Sequence, residues 1–213
     1  MQKLIGIFGG TFDPVHYGHL KPAQEIFQRL RLDELRVVPC FRPVHRDPPL
    51  ADPDQRIEML QLALREFPRF MADDRELRRG GDSYTVDTLE EMHREFPRAT
   101  LCLLLGQDAL EGFRKWRRWR HILKLAHLLV CARPGYGLER GSERGKLIAE
   151  FGIPSEAGLR DRPSGGILPV ATAQYDISST LVRQRLRERQ SVEGLVPPAL
   201  AEWLNENRIY EVN

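Results

Sequence analysis

Cysteine is scarce in this chain of 213 residues, which contains only Cys40, Cys102 and Cys131. Their number is odd, and their spacing matches no paired metal-binding motif, which argues against a disulfide framework and a cysteine-based metal site. Cys102 and Cys131 lie in apolar runs typical of strands. We therefore expect three reduced thiols; a catalytic cysteine is the alternative.

Long apolar runs are absent as well. No stretch approaches the ~20 apolar residues that a membrane-spanning helix needs. The sequence begins with an apolar run typical of a strand, not with the charged and apolar regions of a signal peptide. We expect a cytoplasmic protein with no membrane partner.

Neither sign of charge dominates, because 32 Lys and Arg side chains are balanced by 30 Asp and Glu, for a net charge of +2. This balance argues against a nucleic-acid partner. One basic run with interleaved aromatics, residues 114–121, is typical either of single-stranded nucleic-acid binding or of a solvated helix flank anchored by its tryptophans. In so neutral a chain we favour the helix flank.

Apolar runs typical of strands alternate with segments of helical periodicity. We predict strands at 4–8, 35–39, 69–73, 100–105, 127–132 and 167–171, and helices starting at Gly18, Pro53, Ser83, Trp116, Ser142, Ser178 and Pro198. The helix from Pro53 is expected to run to Phe67, with Asp52 as its cap. This alternation predicts one α/β domain over residues 1–213, with a Rossmann-like, doubly wound, mostly parallel sheet and helices on both faces. Ligands of such sheets bind beyond the carboxyl ends of the strands. The loops at 9–19, 39–49, 106–116, 132–137 and 172–180 are therefore the candidate site.

The first strand leads into a glycine-rich turn and a helix start. Gly9 and Gly10 place no Cβ atom in the way of a ligand, Pro14 fixes the loop, and the helix begins at Gly18. Backbone N–H groups and the helix dipole favour phosphate at such a place.

Two histidines distinguish this turn from an ordinary one. His16 and His19 are three positions apart at a helix start, so their rings can point the same way. A histidine beside a polyphosphate gains proton affinity and can donate hydrogen bonds as a cation. The alternative, two surface histidines that cap a helix, would be the better account of either histidine alone.

A second helix start of this kind follows Ile177. Ser178, Ser179 and Thr180 offer hydroxyl groups and free N–H groups, and Arg183 lies one turn further on. Alone, this segment would be only a well-capped helix. Two phosphate-type helix starts in one chain indicate a nucleoside triphosphate as ligand.

Both segments resemble the signatures of the nucleotidylyltransferase superfamily, in the forms His16-Tyr17-Gly18-His19 and Ile177-Ser178-Ser179-Thr180-Leu181-Val182-Arg183. The resemblance implies that both histidines contact the ATP phosphates and stabilise the transition state, assisted by Arg183. The ATP-binding residues that it implies are Gly9, Gly10, Thr11, Phe12, His16, Gly18, His19, Gly106, Ile177, Ser178, Ser179, Thr180 and Arg183.

The middle of the chain resembles a narrower family, the bacterial nicotinate-nucleotide adenylyltransferases. The matching segments are 80–85, Gly106-Gln107-Asp108, Trp116, Arg133-Pro134-Gly135 and the loop with His45-Arg46. The resemblance covers nearly the whole chain and implies ATP and nicotinate mononucleotide as substrates, with pyrophosphate and deamido-NAD as products. It also implies a divalent metal, usually Mg²⁺, bound with the substrate and not by a dedicated protein site.

The same resemblance implies a mononucleotide-binding set. His45 and Arg46 would bind the phosphate, the helix start at 83–85 the nicotinate carboxylate, Trp116 the pyridine ring and Asp108 the ribose. Each has a plainer alternative: a solvated loop, a serine cap, a core tryptophan and a helix cap. The full set is His45, Arg46, Tyr84, Thr85, Asp108, Trp116 and Arg133; whether the loops at Gly106 and Arg133 hold adenine or the second nucleotide stays open.

Cys40 departs from the family, which commonly has asparagine after the Val-Pro pair. A thiol cannot replace the donors and acceptor of an amide, so Cys40 is left out of the predicted site.

Two alternatives to this function are a sister enzyme with another acceptor and a nucleotide-binding regulator without turnover. The other acceptors are nicotinamide mononucleotide, pantetheine phosphate and the substrate of a cytidylyl transfer. Retention of His16, His19 and Arg183 argues against the regulator.

Overall fold

The computed structural model describes residues 2–44, 47–132 and 141–211. Over these residues the strands are β1 (Leu4–Gly10), β2 (Glu34–Pro39), β3 (Arg42–Pro43), β4 (Phe70–Ala72), β5 (Asp82–Ser83), β6 (Thr100–Gly106), β7 (Ala126–Ala132) and β8 (Ile167–Ala171). The α-helices are α1 (Tyr17–Arg29), α2 (Pro53–Ala63), α3 (Arg75–Arg79), α4 (Thr85–Glu95), α5 (Gln107–Glu111), α6 (Trp119–Leu125), α7 (Glu143–Phe151), α8 (Gly158–Asp161), α9 (Ser179–Arg187) and α10 (Pro198–Asn207).

Six of the strands form one sheet in the order β4-β2-β1-β6-β7-β8. The pairs β1–β6, β6–β7 and β7–β8 are all parallel, with Leu4 opposite Thr100 in the first of them. The strands β6 and β7 are near-continuous apolar runs, as parallel strands buried on both faces require. A mostly parallel sheet combined with helices confirms the predicted Rossmann-like α/β fold.

The chain divides into two compact units. The first unit comprises Met1–Gly9, Glu25–Arg36 and Tyr84–Ala173, and the second comprises Gly10–Gln24, Val37–Ser83 and Gln174–Asn213, each as far as its residues are described. The single domain expected over residues 1–213 stays a prediction. Among the residues described, none of the helices combines the length and apolarity that crossing a bilayer requires.

The first unit contains β6, β7 and β8 and a buried histidine. His127 on β7 is fully buried; its Nδ1 accepts from the Gly166 N–H at 2.9 Å, and its Nε2 lies 3.0 Å from the Arg162 carbonyl oxygen. An imidazole that accepts at one nitrogen and donates at the other is neutral. Burial lowers the pKa of His127 accordingly.

The basic run predicted to flank a helix also lies in the first unit. Its cations face acidic side chains of α4: Arg118 lies 2.9 Å from Glu90, and Arg117 lies 3.7 Å from Asp87. Paired, solvated cations fit the helix-flank interpretation.

The second unit contains α2, whose start follows the sequence closely. The Asp52 side chain accepts from the Gln55 N–H at 2.8 Å, while the Gln55 side chain accepts from the Asp52 N–H at 3.0 Å. This reciprocal capping box satisfies two backbone donors. The predicted Asp52 cap is therefore confirmed. The short strands β3 and β5 pair in parallel in the same unit.

Three predicted helix boundaries are wrong. The helix expected over 53–67 ends at Ala63, and one 3₁₀ turn, Leu64–Glu66, follows it. Trp116 is extended and follows a 3₁₀ turn, so α6 begins only at Trp119. Ser83 does not cap α4, because it lies in β5 and its Oγ accepts from the Phe41 N–H at 2.9 Å.

Candidate active site

The two motifs that the sequence analysis singled out lie together in the second unit. The Ser179 hydroxyl donates to the Pro14 carbonyl at 2.9 Å, and Arg183 Nη1 donates to the Asp13 carbonyl at 2.6 Å. A Cβ atom on Gly18 would lie only 2.7 Å from the Ile177 carbonyl oxygen. Glycine at position 18 therefore permits the close approach of α1 to the segment that leads into α9.

The imidazole rings of His16 and His19 are stacked, with centroids 3.7 Å apart and an angle of 29° between their planes. Their spacing comes from the helix start: the His16 carbonyl accepts from the N–H groups of His19 and Leu20, which makes His16 the first residue before α1. The expectation that both rings point the same way is confirmed.

His16 is buried, with 4% of its surface exposed, and burial lowers its pKa from 6.5 to about 4. Its Nδ1 has no hydrogen-bond partner among the described residues. His16 is therefore neutral at pH 7 in the free protein. An anion beside the ring would raise this pKa again, because opposite charge favours the protonated form.

The loop between β1 and the histidines is shaped by Phe12. This residue is buried at a φ of 50°, and its ring meets that of His19 edge-on at 5.3 Å between centroids. A Cβ atom on Gly10 would lie 2.8 Å from the Phe12 ring, whereas one on Gly9 would meet nothing within 4 Å. The absence of a Cβ atom at Gly10 thus makes space for the Phe12 ring, whereas at Gly9 it leaves space for a ligand.

The start of α9 offers backbone donors. The Ser178 side chain caps the helix by accepting from the Leu181 N–H at 3.1 Å. The first N–H groups of a helix, here those of Ser179 and Thr180, have no acceptor within the helix. Together with the helix dipole they favour an anion.

Arg183 is only partly committed to the protein. Besides its bond to the Asp13 carbonyl, its Nη2 lies 3.5 Å from Thr180 Oγ1, a weak contact. Its Nε has no hydrogen-bond partner in the described part of the chain. A guanidinium has five N–H donors, so Arg183 retains donors for an anionic ligand.

Three buried polar residues that contact one another or the first motif's loop were not predicted from the sequence: Asp13, Arg56 and Tyr210. The buried Asp13 carboxylate accepts from the N–H groups of Leu50 and Ala51 at 2.8 and 3.1 Å and from the Tyr210 hydroxyl at 2.6 Å. Asp13 lies within the predicted site loop 9–19, so its position there was the available signal. No sequence pattern indicates Tyr210.

Arg56 holds the backbone beneath the motif. It is 1% exposed, and it donates to the carbonyls of Thr11 at 3.0 Å, Cys40 at 2.5 Å and Phe41 at 3.3 Å. Arg56 lies on a helix of mixed charge, so from the sequence it resembles an exposed arginine. Only its three carbonyl acceptors, which are distant from it in the sequence, distinguish it from a surface residue.

All three cysteines are free thiols. Burial raises the pKa of Cys40, and that of Cys102 to about 12 and of Cys131 to about 11. Cys40 Sγ lies 3.9 Å from Thr11 Oγ1. These protonated thiols lack the lowered pKa of reactive cysteines.

The remaining predicted site residues belong to the first unit or lie outside the described residues. Gly106 is exposed at the end of β6 and holds the capping position of α5, so Asp108 does not cap that helix but lies exposed in its first turn. Tyr84 precedes α4, its ring 4.5 Å from the Arg117 guanidinium carbon, and Thr85 is the first residue of α4.

Trp116 is half-buried, and its ring centroid is 5.5 Å from that of Phe113. His45, Arg46 and Arg133 fall outside the described residues. Within the described ranges, no three His, Cys, Asp or Glu side chains are grouped so that they could hold a metal ion.

The sequence matches a known class of transferases. A model of the cytidylyltransferase-like family matches residues 7–185, a span that includes both motifs. The chain belongs to this family, and within it to the nicotinate-nucleotide adenylyltransferases, as its curated relatives demonstrate.

A relative from Methylococcus capsulatus, named a probable nicotinate-nucleotide adenylyltransferase, is 43% identical over 97% of this chain and 99% of its own. A relative of the same name from Cellvibrio japonicus is 42% identical over 99% of this chain and 100% of its own.

Solved structures agree in fold. The Plasmodium falciparum nicotinic acid mononucleotide adenylyltransferase complexed with NaAD superposes with a TM-score of 0.71 at 18% identity, covering 100% of this chain and 99% of that one. The same enzyme complexed with APC gives a TM-score of 0.70 at 18% identity, with the same coverage.

Proposed function

We propose that this protein transfers the adenylyl group of ATP to nicotinate mononucleotide, which gives deamido-NAD and pyrophosphate in NAD biosynthesis. The observation that carries the proposal is the family membership, with 43% identity over nearly the whole of both chains to a relative that bears this enzyme's name. The assembly of the His16–His19 and Ser179–Arg183 segments in one unit supports it. We place the protein in the cytoplasm, with small molecules and neither nucleic acid nor membrane as partners.

The reaction that we propose is a direct, in-line attack by the phosphate of the mononucleotide on the α-phosphorus of ATP. The attacking phosphate is already anionic at neutral pH, since its second pKa is about 6. No general base is needed. Catalysis then consists of alignment and of stabilising charge as it moves onto the departing pyrophosphate.

In this mechanism the second unit binds the triphosphate. His16 and His19 donate to phosphate oxygens, Arg183 contributes its uncommitted donors, and the first N–H groups of α9 complete the set. Gly9 leaves space for close approach. We assign Mg²⁺ to the ATP phosphates rather than to protein ligands; when bound there it neutralises phosphate charge.

The mononucleotide-binding roles are carried over from the resemblance. Tyr84 and Thr85 open α4, where N–H groups favour a carboxylate over a neutral carboxamide. We assign the pyridine ring to Trp116 and the ribose to Asp108. We assign the phosphate of the mononucleotide to His45 and Arg46, as the resemblance implies. Arg133 stays in the mononucleotide-binding set that the resemblance implies.

The acceptor is tested by measuring pyrophosphate release from ATP with nicotinate mononucleotide, nicotinamide mononucleotide and pantetheine phosphate. We expect the acid to be the preferred acceptor, with a higher kcat/KM than the amide. Equal use of the acid and the amide would refute the assigned acceptor, and no release with any acceptor would indicate a regulator.

The histidine role is tested by His19→Ala. Removing one donor to the developing charge should lower kcat by roughly 10²–10³, while the circular dichroism spectrum stays native. His93→Ala, which removes an exposed histidine from α4, is the matched control and should retain full turnover. A folded His19→Ala protein with near-normal kcat would end the assignment.

A further inference from the structure

Tyr210 makes a buried polar contact that the mechanism has not used. Its side chain is 2% exposed, and its hydroxyl donates to Asp13 Oδ1 at 2.6 Å. The same hydroxyl lies 3.8 Å from the Met59 sulfur. Burial and the Asp13 carboxylate both raise the pKa of Tyr210, so the phenol remains a donor at neutral pH.

Tyr210 shares the Asp13 carboxylate with two backbone donors and with a cation. The N–H groups of Leu50 and Ala51 complete three neutral donors to the two oxygens. Arg183 Nη1 stands 3.8 Å from Asp13 Oδ2, beyond hydrogen-bond distance, while it donates to the Asp13 carbonyl at 2.6 Å. The guanidinium thus lies beside the carboxylate without closing on it.

The neutral donors have an electrostatic consequence. A carboxylate that receives several hydrogen bonds has less need of a charged partner. Among the described residues, Oδ1 without the phenol would retain only the Ala51 N–H, the longest of the three bonds. Arg183 is a cation able to replace the lost donor, because it already lies within 4 Å of the same carboxylate.

We propose that Tyr210 is a positioning residue for adenylyl transfer: its hydroxyl satisfies Asp13, so that the Arg183 guanidinium stays directed at the triphosphate instead of pairing with the carboxylate. The inference rests on the proposed function for its substrate. It extends the active site to a side chain 197 residues from Asp13 in sequence, outside both motifs.

A double-mutant cycle tests this role on kcat and KM. Tyr210→Phe should lower kcat roughly tenfold and also raise the KM for ATP, because Arg183 contacts the triphosphate in the ground state as well as in the transition state. In an Arg183→Gln background the same change should have no further effect on kcat, because the group through which Tyr210 acts is gone. Ser164→Ala, which removes a hydroxyl that donates to the Lys124 carbonyl at 2.9 Å in the first unit, is the control and should retain full kcat.

The opposing outcomes are distinct. A merely structural Tyr210 would lower kcat by the same factor in both backgrounds, and this result, or a fully active Tyr210→Phe protein, overturns the proposal. Should Tyr210→Phe be partly unfolded, the cycle is measured at low temperature, with kcat expressed per folded molecule from circular dichroism.

The proposed function is judged separately, by the wild-type protein. If the wild type releases no pyrophosphate with nicotinate mononucleotide, the proposed function is wrong. The double-mutant cycle is then measured on the affinity for α,β-methylene ATP, determined by calorimetry, instead of on kcat. Weaker binding by Tyr210→Phe that disappears in the Arg183→Gln background still supports the positioning role. Additive losses, or none, overturn it.

Discussion

The adjacent glycines of the first motif differ in what surrounds them. A Cβ atom on Gly10 would lie 2.8 Å from the buried Phe12 ring, whereas Gly9 faces open space. Overpacking of this kind costs about 1–3 kcal/mol, so Gly10→Ala should lower the free energy of unfolding by that amount. Gly9→Ala should leave stability unchanged and instead weaken ATP binding.

Urea denaturation of the two variants, with titration of α,β-methylene ATP, measures both effects. Equal losses of stability at the two positions would contradict this account of the loop. Normal ATP affinity in Gly9→Ala would remove Gly9 from the ligand's path.

His16 should make stability depend on pH. Its pKa is about 4 in the folded protein and about 6.5 when unfolded, so the unfolded chain binds more protons between these values. The contribution of His16 to the free energy of unfolding is therefore fully present above about pH 6.5. It is lost as the pH is lowered towards 4, by up to about 3 kcal/mol. The His16→Gln protein lacks this titrating group, so its free energy of unfolding should fall correspondingly less over the same pH range.

Urea unfolding of both proteins at about pH 7.5 and about pH 4.5 checks this expectation. The lowered pKa of His127 acts in the same direction, but it is common to both proteins and cancels in the comparison. Parallel losses in the wild type and the variant would show that His16 is not the group responsible.

At the residue scale, the sequence indicated the site residues that belong to short local motifs. It did not indicate the residues whose hydrogen-bond partners lie far away in the sequence. His16, His19 and Arg183 stand in short local patterns. Arg56 and Tyr210 are defined by acceptors far away in sequence, such as the Thr11 carbonyl and the Asp13 carboxylate. Such pairings arise only from the folded arrangement, so no local pattern contains them.

At the scale of elements, α9 combines a structural cap with a ligand site, and two substitutions at Ser178 can separate these roles. Ser178→Ala removes the bond to the Leu181 N–H and should cost about 1 kcal/mol of stability. Ser178→Asp keeps a capping oxygen and a favourable charge for the helix dipole. Its negative charge should nevertheless repel the triphosphate.

We therefore expect a lower melting temperature for Ser178→Ala and a native one for Ser178→Asp, together with a raised KM for ATP in the aspartate variant. Thermal unfolding and steady-state kinetics measure these outcomes. An unchanged KM in Ser178→Asp would place the triphosphate away from the start of α9.

Element prediction succeeded where local patterns decide the structure. The run predicted as a strand over 100–105 is β6, and the segment expected to begin at Ser142 is α7, capped by the Ser142 side chain. Ser83 was misassigned because a serine before a helical pattern resembles a cap. Its hydroxyl instead accepts from Phe41, more than 40 residues away.

At the scale of the whole molecule, the alternation of strands and helices was sufficient to predict the parallel sheet. The division into two units was not predictable in this way. The second unit collects three separate segments, Gly10–Gln24, Val37–Ser83 and Gln174–Asn213, and its composition depends on which segments contact one another. Most of the residues that we assign to ATP fall in this unit.

This distribution predicts which backbone amides bound ATP protects from hydrogen exchange. A ligand present at 100 times its Kd stabilises the folded state by about 2.7 kcal/mol. Amides of α9 that exchange by local opening, such as those of Leu181 and Val182, should therefore exchange up to about 100-fold more slowly with bound ligand. Amides of α7 in the first unit serve as the internal control and should change little.

Hydrogen exchange of the wild type and of Arg183→Gln, with and without α,β-methylene ATP, measures this pattern at matched fractional saturation. The substitution should weaken binding without moving the site, so the protected amides stay the same while more ligand is needed. If the strongest protection fell on α7 instead of α9, the triphosphate would bind in the first unit. The stacked histidines would then have to act on some other anion.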